Sequence, residues 1–141
     1  IVLIIAFVFI YFSKGYFMRY SNSFRAASGS DFDRFLNFIV FTSSTFTGWE
    51  FLHRCFLLFG LTYVLQHKDN FSFEHAARVA IIVVWIFEVI FHFKKPILES
   101  TGMLIGSPLL SYIALRTNSI WLAVLIHLLV EFLFIFTLIM Q

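Results

Sequence analysis

The chain has 141 residues, of which 60% are hydrophobic and 13% charged, and its formal net charge is +2. An ordinary soluble domain is about 45–50% apolar and about 25% charged, so this composition indicates a membrane protein. The small net charge gives no reason to expect a nucleic-acid partner, and we expect membrane lipids to surround much of the chain.

Five apolar runs predict an all-α, polytopic transmembrane helix bundle with about five spans. The runs cover residues 1–17, 35–65, 76–93, 102–115 and 120–140. We expect one membrane-embedded helical domain over residues 1–141, truncated at the N-terminus because no initiator Met or signal peptide opens it. The expected location is a bacterial plasma membrane, crossed several times.

Local signals refine two of these runs. Ser30 or Asp31 is a good start for the second helix. In the fourth run, Gly102 and Gly106 have the spacing of small residues at a close helix contact, although a flexible entry into a helix is the alternative. Pro108 should kink or break that helix.

Three apolar runs each carry an ionisable pair at four-residue spacing, which places both members on one helix face. The pairs are Glu50 with Arg54, Glu88 with His92, and His127 with Glu131. An ion pair along the helix would satisfy the first pair on its own. A charge at the bilayer centre costs about 2.5–3.5 kcal/mol, so we expect the remaining groups to meet in a shared polar centre.

Carboxylates, imidazoles and a guanidinium together suit activation of a water molecule by a general base, with donors for an oxyanion. The same histidines and carboxylates could instead hold a divalent metal that polarises the water. The sequence leaves open whether any cofactor is used, and it contains no HExxH motif. A proton-coupled transporter would also explain buried Glu and His, but it predicts repeats that are not found.

Three stretches resemble the signature regions of the CPBP intramembrane protease family, which includes type II CAAX prenyl endopeptidases and ABI (bacteriocin-immunity) relatives. They are GWEFLHRCFLLFGL, FEVIFHFKKPILES and LRTNSIWLAVLIHLLVEF, which together span residues 48–132. The resemblance implies a membrane helix bundle in which a glutamate and a histidine activate water to cleave a membrane-associated peptide or protein, prenylated in some members.

The resemblance also implies roles for individual residues. Glu50 and Arg54 match the second glutamate and the arginine of the family's EExxxR motif, whereas Trp49 occupies the place of the first glutamate, the usual base. His92 matches the histidine of the FxxxH motif, with Glu88 in place of its phenylalanine.

His127 matches the histidine of the third motif, and Glu131 replaces its usual asparagine. We therefore hypothesise that Glu50 or Glu88 is the base, that His92 orients the water, and that His127 with a protonated Glu131 stabilises the oxyanion. Arg54 would orient Glu50. The alternative is a catalytically degenerate member that keeps the bundle and acts as a membrane binding or immunity protein.

Overall fold

The computed structural model describes residues 30–92 and 97–139, and these ranges are helical apart from short turns. The elements are α1 (Asp31–Glu50), a π-helical segment (Phe51–Phe59), α2 (Gly60–His67), α3 (Phe73–His92), α4 (Ile97–Thr117) and α5 (Trp121–Ile139). No strand occurs within the described ranges, so the predicted all-α class is confirmed. The predicted first span, 1–17, lies outside them.

The second predicted run forms one continuous helical stretch that begins where the sequence predicts. The side-chain hydroxyl of Ser30 accepts a hydrogen bond from the Asp33 N–H at 3.2 Å, and the Ser30 N–H donates to the Asp33 carboxylate at 3.1 Å. This reciprocal pair caps the helix. Hydrogen bonds from the Ser30 hydroxyl and N–H hold the pKa of Asp33 below its ordinary value.

The middle of this stretch differs from the prediction of a regular α-helix. The nine residues Phe51–Phe59 wind as a π-helix, whose hydrogen bonds join residues five apart. The buried members of this segment are His53, Arg54 and Leu58. π-Helical turns are rare and are frequently found at functional sites, so the surroundings of Arg54 are a candidate site.

The five predicted spans are not confirmed. Of the helices in the described ranges, α3 alone is both long and apolar enough to cross a bilayer, judged by length and composition. The apolar part of α5, Trp121–Leu133, is shorter.

The buried faces of α3 and α4 carry many small side chains. On α3 every fourth residue is buried, in the series Ala76, Ala80, Val84, Glu88 and His92. The buried residues of α4 are Met103, Ser107, Leu110, Ser111 and Ala114. An apolar cluster of Leu58, Ala80, Val84 and Ala114 joins both helices to the π-helical segment. Small residues let helix backbones approach closely, which brings the polar members of these faces near one another.

Two predictions about α4 can be compared with the structure. Pro108 does not break the helix, which continues from Ile97 to Thr117, because a proline removes a single N–H and neighbouring helices can support the turn; the predicted kink stays a prediction. Gly102 and Gly106 make no close contact within the described ranges, since a Cβ added at either would have no heavy atom of those residues within 4 Å. The small buried residues on α4 are two serines and an alanine instead.

α4 ends between the predicted apolar runs 102–115 and 120–140. Asn118 adopts a left-handed conformation with φ of 49°, which asparagine tolerates better than most residues. The Ser119 N–H then donates to the Ala114 carbonyl at 3.1 Å, closing the helix end before α5 begins.

The described residues fall into two compact units. Thr47–Leu125 form one, which contains the π-helical segment, α2, α3 and α4. The described residues before Thr47 and after Leu125 form the other. In this second unit the Phe46 and His127 rings meet edge to face, with centroids 4.6 Å apart.

Alanine at Gly102 or Gly106 is expected to raise the free energy of unfolding by about 0.5–1 kcal/mol, because alanine favours a helix and its Cβ meets open space. Thermal unfolding in detergent measures the change. Ala114→Leu, on the buried face of the same helix, is the control and should lower the free energy of unfolding by about 1–3 kcal/mol. Destabilisation by both glycine substitutions would contradict this packing.

Candidate active site

The guanidinium of Arg54 is fully buried and connects three helical elements. Its Nη1 donates to Oε1 of Glu88 on α3. Its Nη2 donates to the backbone carbonyl of Ser107 on α4 at 3.3 Å. Its Nε lies 3.3 Å from Oε2 of Glu50, an ion-pair contact without hydrogen-bond alignment. Arg54 therefore fixes the C-terminal end of α1 relative to α3 and α4.

Glu88 is also fully buried, and its two carboxylate oxygens have different surroundings. Besides Arg54, Oε1 accepts a hydrogen bond from the indole Nε1 of Trp49 at 3.2 Å. The Nδ1 of His53 lies 3.9 Å from the same oxygen. Oε2 is buried and has no hydrogen-bond partner among the described residues. One oxygen is thus fixed, and the other remains able to accept a proton or a hydrogen bond.

Two carboxylates contact the same guanidinium in this cluster. Glu50, Arg54 and Glu88 all have no solvent exposure. Removing one member of a buried ion pair typically costs about 3–5 kcal/mol, so the three side chains depend on one another.

The two buried histidines are held through their Nδ1 atoms. His92 Nδ1 lies 2.7 Å from the backbone carbonyl of Glu88, and His53 Nδ1 lies 2.9 Å from that of Trp49. A carbonyl only accepts, so each Nδ1 carries the proton, and Nε2 is the basic nitrogen of the neutral ring. The predicted Glu88–His92 pair is thus linked through backbone and not through the carboxylate.

Aromatic rings surround the Trp49 indole. The ring of His53 lies against it at 4.2 Å and 35°, and the rings of Phe91 and His92 meet it edge to face at 5.7 and 5.9 Å. Phe91 is 59% exposed, whereas His92 is 6% exposed. The aromatic group therefore extends from the buried carboxylate of Glu88 to the protein surface.

The structure brings four of the six predicted site residues together in one unit: Glu50, Arg54, Glu88 and His92. His127 and Glu131 lie on α5 in the other unit. Their part in the site remains a prediction.

Sequence reasoning missed three contributors to this region. Trp49 was noted only as a missing glutamate, but its indole binds Glu88. Ser107 and Ser111 are fully buried on the α4 face that meets Arg54. Ser107 and Ser111 are four residues apart in an apolar run, and Ala114 lies on the same helix face. This spacing of small residues was the sequence signal that could have identified them.

The described residues do not provide a metal site. No three His, Cys, Asp or Glu side chains within these ranges are arranged to hold a metal ion. The fixed oxygen of Glu88 faces a guanidinium and an indole N–H, which are both donors and would repel a cation. We therefore derive no chemical step through a metal.

Comparison with known proteins supports the family resemblance. A family model described as type II CAAX prenyl endopeptidase Rce1-like matches residues 31–133, well over half of the chain. The match includes all six predicted site residues. No curated protein and no solved structure matches the chain. From the extent of the family match, the chain belongs to the Rce1-like family of type II CAAX prenyl endopeptidases.

Proposed function

We propose that this protein hydrolyses a peptide bond in a membrane-associated, prenylated substrate, and that Glu88 is the general base. The family supports a CAAX-type intramembrane protease at the level of its class. The choice of Glu88, the mechanism and the prenylated substrate are our proposals.

The hydrogen bond between Trp49 and Glu88 is the observation that carries the proposal. Position 49 is where the family's pattern has its first glutamate. The Glu88 carboxylate reaches the tip of the side chain at that position, from one helix away. A carboxylate is therefore available beside Arg54 and His92 even though the motif glutamate is absent.

The surroundings of Glu88 suit general-base catalysis. Arg54 and Trp49 hold Oε1, so Oε2 is the oxygen that accepts a proton from water as the water attacks the carbonyl carbon of the peptide bond. The proton then passes from Glu88 to the departing amide nitrogen. The products are a carboxylic acid and an amine, and Glu88 is regenerated.

The remaining predicted residues have supporting roles in this mechanism. His92, fixed through Nδ1, would orient the water with Nε2. Glu50 would balance the charge of Arg54. The resemblance implies an oxyanion role for His127, and our hypothesis extends that role to Glu131 in place of the usual asparagine. This requires Glu131 to be protonated, because an ionised carboxylate donates no hydrogen bond.

A non-hydrolytic member of the family is the second candidate. It is favoured by the direct contact of Arg54 with both carboxylates, because a buried ion network can serve structure alone. Such a protein would keep the bundle and act in the membrane by binding, for example in immunity.

Glu88→Gln is expected to lower kcat by about 10²–10⁴-fold, because glutamine cannot accept the proton from water. A fluorogenic peptide with a prenylated CAAX end, presented to the purified protein in liposomes, measures the rate. Glu74→Gln is the matched control, since it changes an acid on the same helix whose side chain is 81% exposed. Equal rates for both variants and the unchanged protein would contradict Glu88 as the base. No cleavage by the unchanged protein would favour the non-hydrolytic candidate.

Trp49→Phe keeps an aromatic ring and removes the indole N–H. We expect kcat to fall about 10–100-fold, because a hydrogen bond to a charged acceptor contributes about 1.5–3 kcal/mol. Trp121→Phe is the control, as Trp121 is 64% exposed on α5 and should leave the rate within about 2-fold. If Trp49→Phe has the same kcat as the unchanged protein, the Trp49–Glu88 hydrogen bond has no role in the mechanism.

A further inference from the structure

Ser107 and Ser111 have buried hydroxyl groups without a hydrogen-bond partner. Both residues have no exposed surface, and neither Oγ has a partner among the described residues. A buried hydroxyl without a partner is costly, and such groups in proteins are usually satisfied by ordered water when not by protein atoms. The pair therefore needs a polar ligand.

Three other helical hydroxyls have a hydrogen-bond acceptor within their own helix. Ser44, Thr62 and Thr117 each donate to the carbonyl four residues earlier, at 2.7 to 2.8 Å. This solution is common for Ser and Thr in helices. For Ser111 the corresponding carbonyl belongs to Ser107, which accepts from Arg54 instead. The hydroxyls of Ser107 and Ser111 thus differ from those of Ser44, Thr62 and Thr117, at the helix turn that contacts the polar cluster.

The contacts of Arg54 bring the backbone of Ser107 close to Glu88. Neighbouring nitrogens of one planar guanidinium bind Glu88 Oε1 and the Ser107 carbonyl, so the two residues flank the same group, and Ser111 follows one helical turn later on the same buried face of α4. The second oxygen of Glu88 is likewise buried and without a partner among the described residues. An acceptor and two hydroxyls that each donate and accept match the three hydrogen bonds that a buried water typically makes.

We propose that Oε2 of Glu88, Oγ of Ser107 and Oγ of Ser111 bind one water molecule at the interface of α3 and α4. This water is the nucleophile of the reaction. The binding of water follows from the unsatisfied groups, whereas its role as nucleophile rests on the proposed function. Ser107 and Ser111 are then positioning residues. The water donates to Glu88 and to one serine and accepts from the other, which leaves one lone pair free for the attack, and its second hydrogen can turn from the serine to Nε2 of His92 without using that lone pair.

Ser107→Ala, Ser111→Ala and the double variant test the water site without needing activity. If the water is bound, each single change should lower the thermal midpoint in detergent by about 3 °C, because the buried water loses one of its hydrogen bonds. The double variant should lower it by less than the two single shifts combined, since both hydroxyls hold the same water. Ser44→Ala, whose hydroxyl is exposed and bonded along its own helix, is the control and should change the midpoint by less than about 1 °C.

Midpoints that stay the same or rise would overturn the proposal, because removing a dry, unsatisfied hydroxyl is neutral or stabilising. If the shift of the double variant equals the sum of the two single shifts, each serine has a separate partner, and this result would also overturn the proposal.

The prenylated peptide tests the role of the water. Each serine variant should show a kcat about 10-fold lower with KM unchanged, as expected for a loss of about 1.4 kcal/mol in positioning the nucleophile. An unchanged kcat would show that this water is not the nucleophile. If the unchanged protein cleaves nothing, the proposed hydrolysis fails, while the thermal midpoints still decide whether the water is bound.

Discussion

The buried guanidinium of Arg54 is the contact on which the rest of the described structure depends. It links a carboxylate at the end of α1, a carboxylate on α3 and a backbone carbonyl on α4. Burying charges costs several kcal/mol for each ion, and the cost is recovered only when partners are in place. The small residues of α3 and α4 allow the approach that supplies those partners. Packing and electrostatics therefore require the same arrangement of helices.

Local features of the fold were predictable from sequence, and long-range ones were not. The cap at Ser30 follows from the chemistry of a single residue at a helix start. The contact of Arg54 with Glu88 joins residues 34 positions apart, and four-residue spacing predicts only its contact with Glu50. The π-helical turns around Arg54 have no sequence signal of comparable strength.

Two departures from the family's motifs are in contact with each other. Trp49 stands in the place of a glutamate, and Glu88 stands in the place of a phenylalanine. Their side chains share a hydrogen bond, so the acid missing from one helix is present on the next. Comparison with the family's motifs identified both departures. Only the packing of α3 against the end of α1 shows that the two side chains are in contact. This contact is the main reason to treat the site as a working one.

The free-energy coupling between Arg54 and Glu88 tests most directly whether they form one buried unit. A double-mutant cycle with Arg54→Gln and Glu88→Gln, measured by unfolding in detergent, isolates that term. We expect a coupling of about 2–3 kcal/mol, because either single change leaves a buried charge without its partner. The exposed pair of Arg78 and Glu74 is the matched control, with an expected coupling below about 0.5 kcal/mol. Additive effects at Arg54 and Glu88 would contradict the buried cluster.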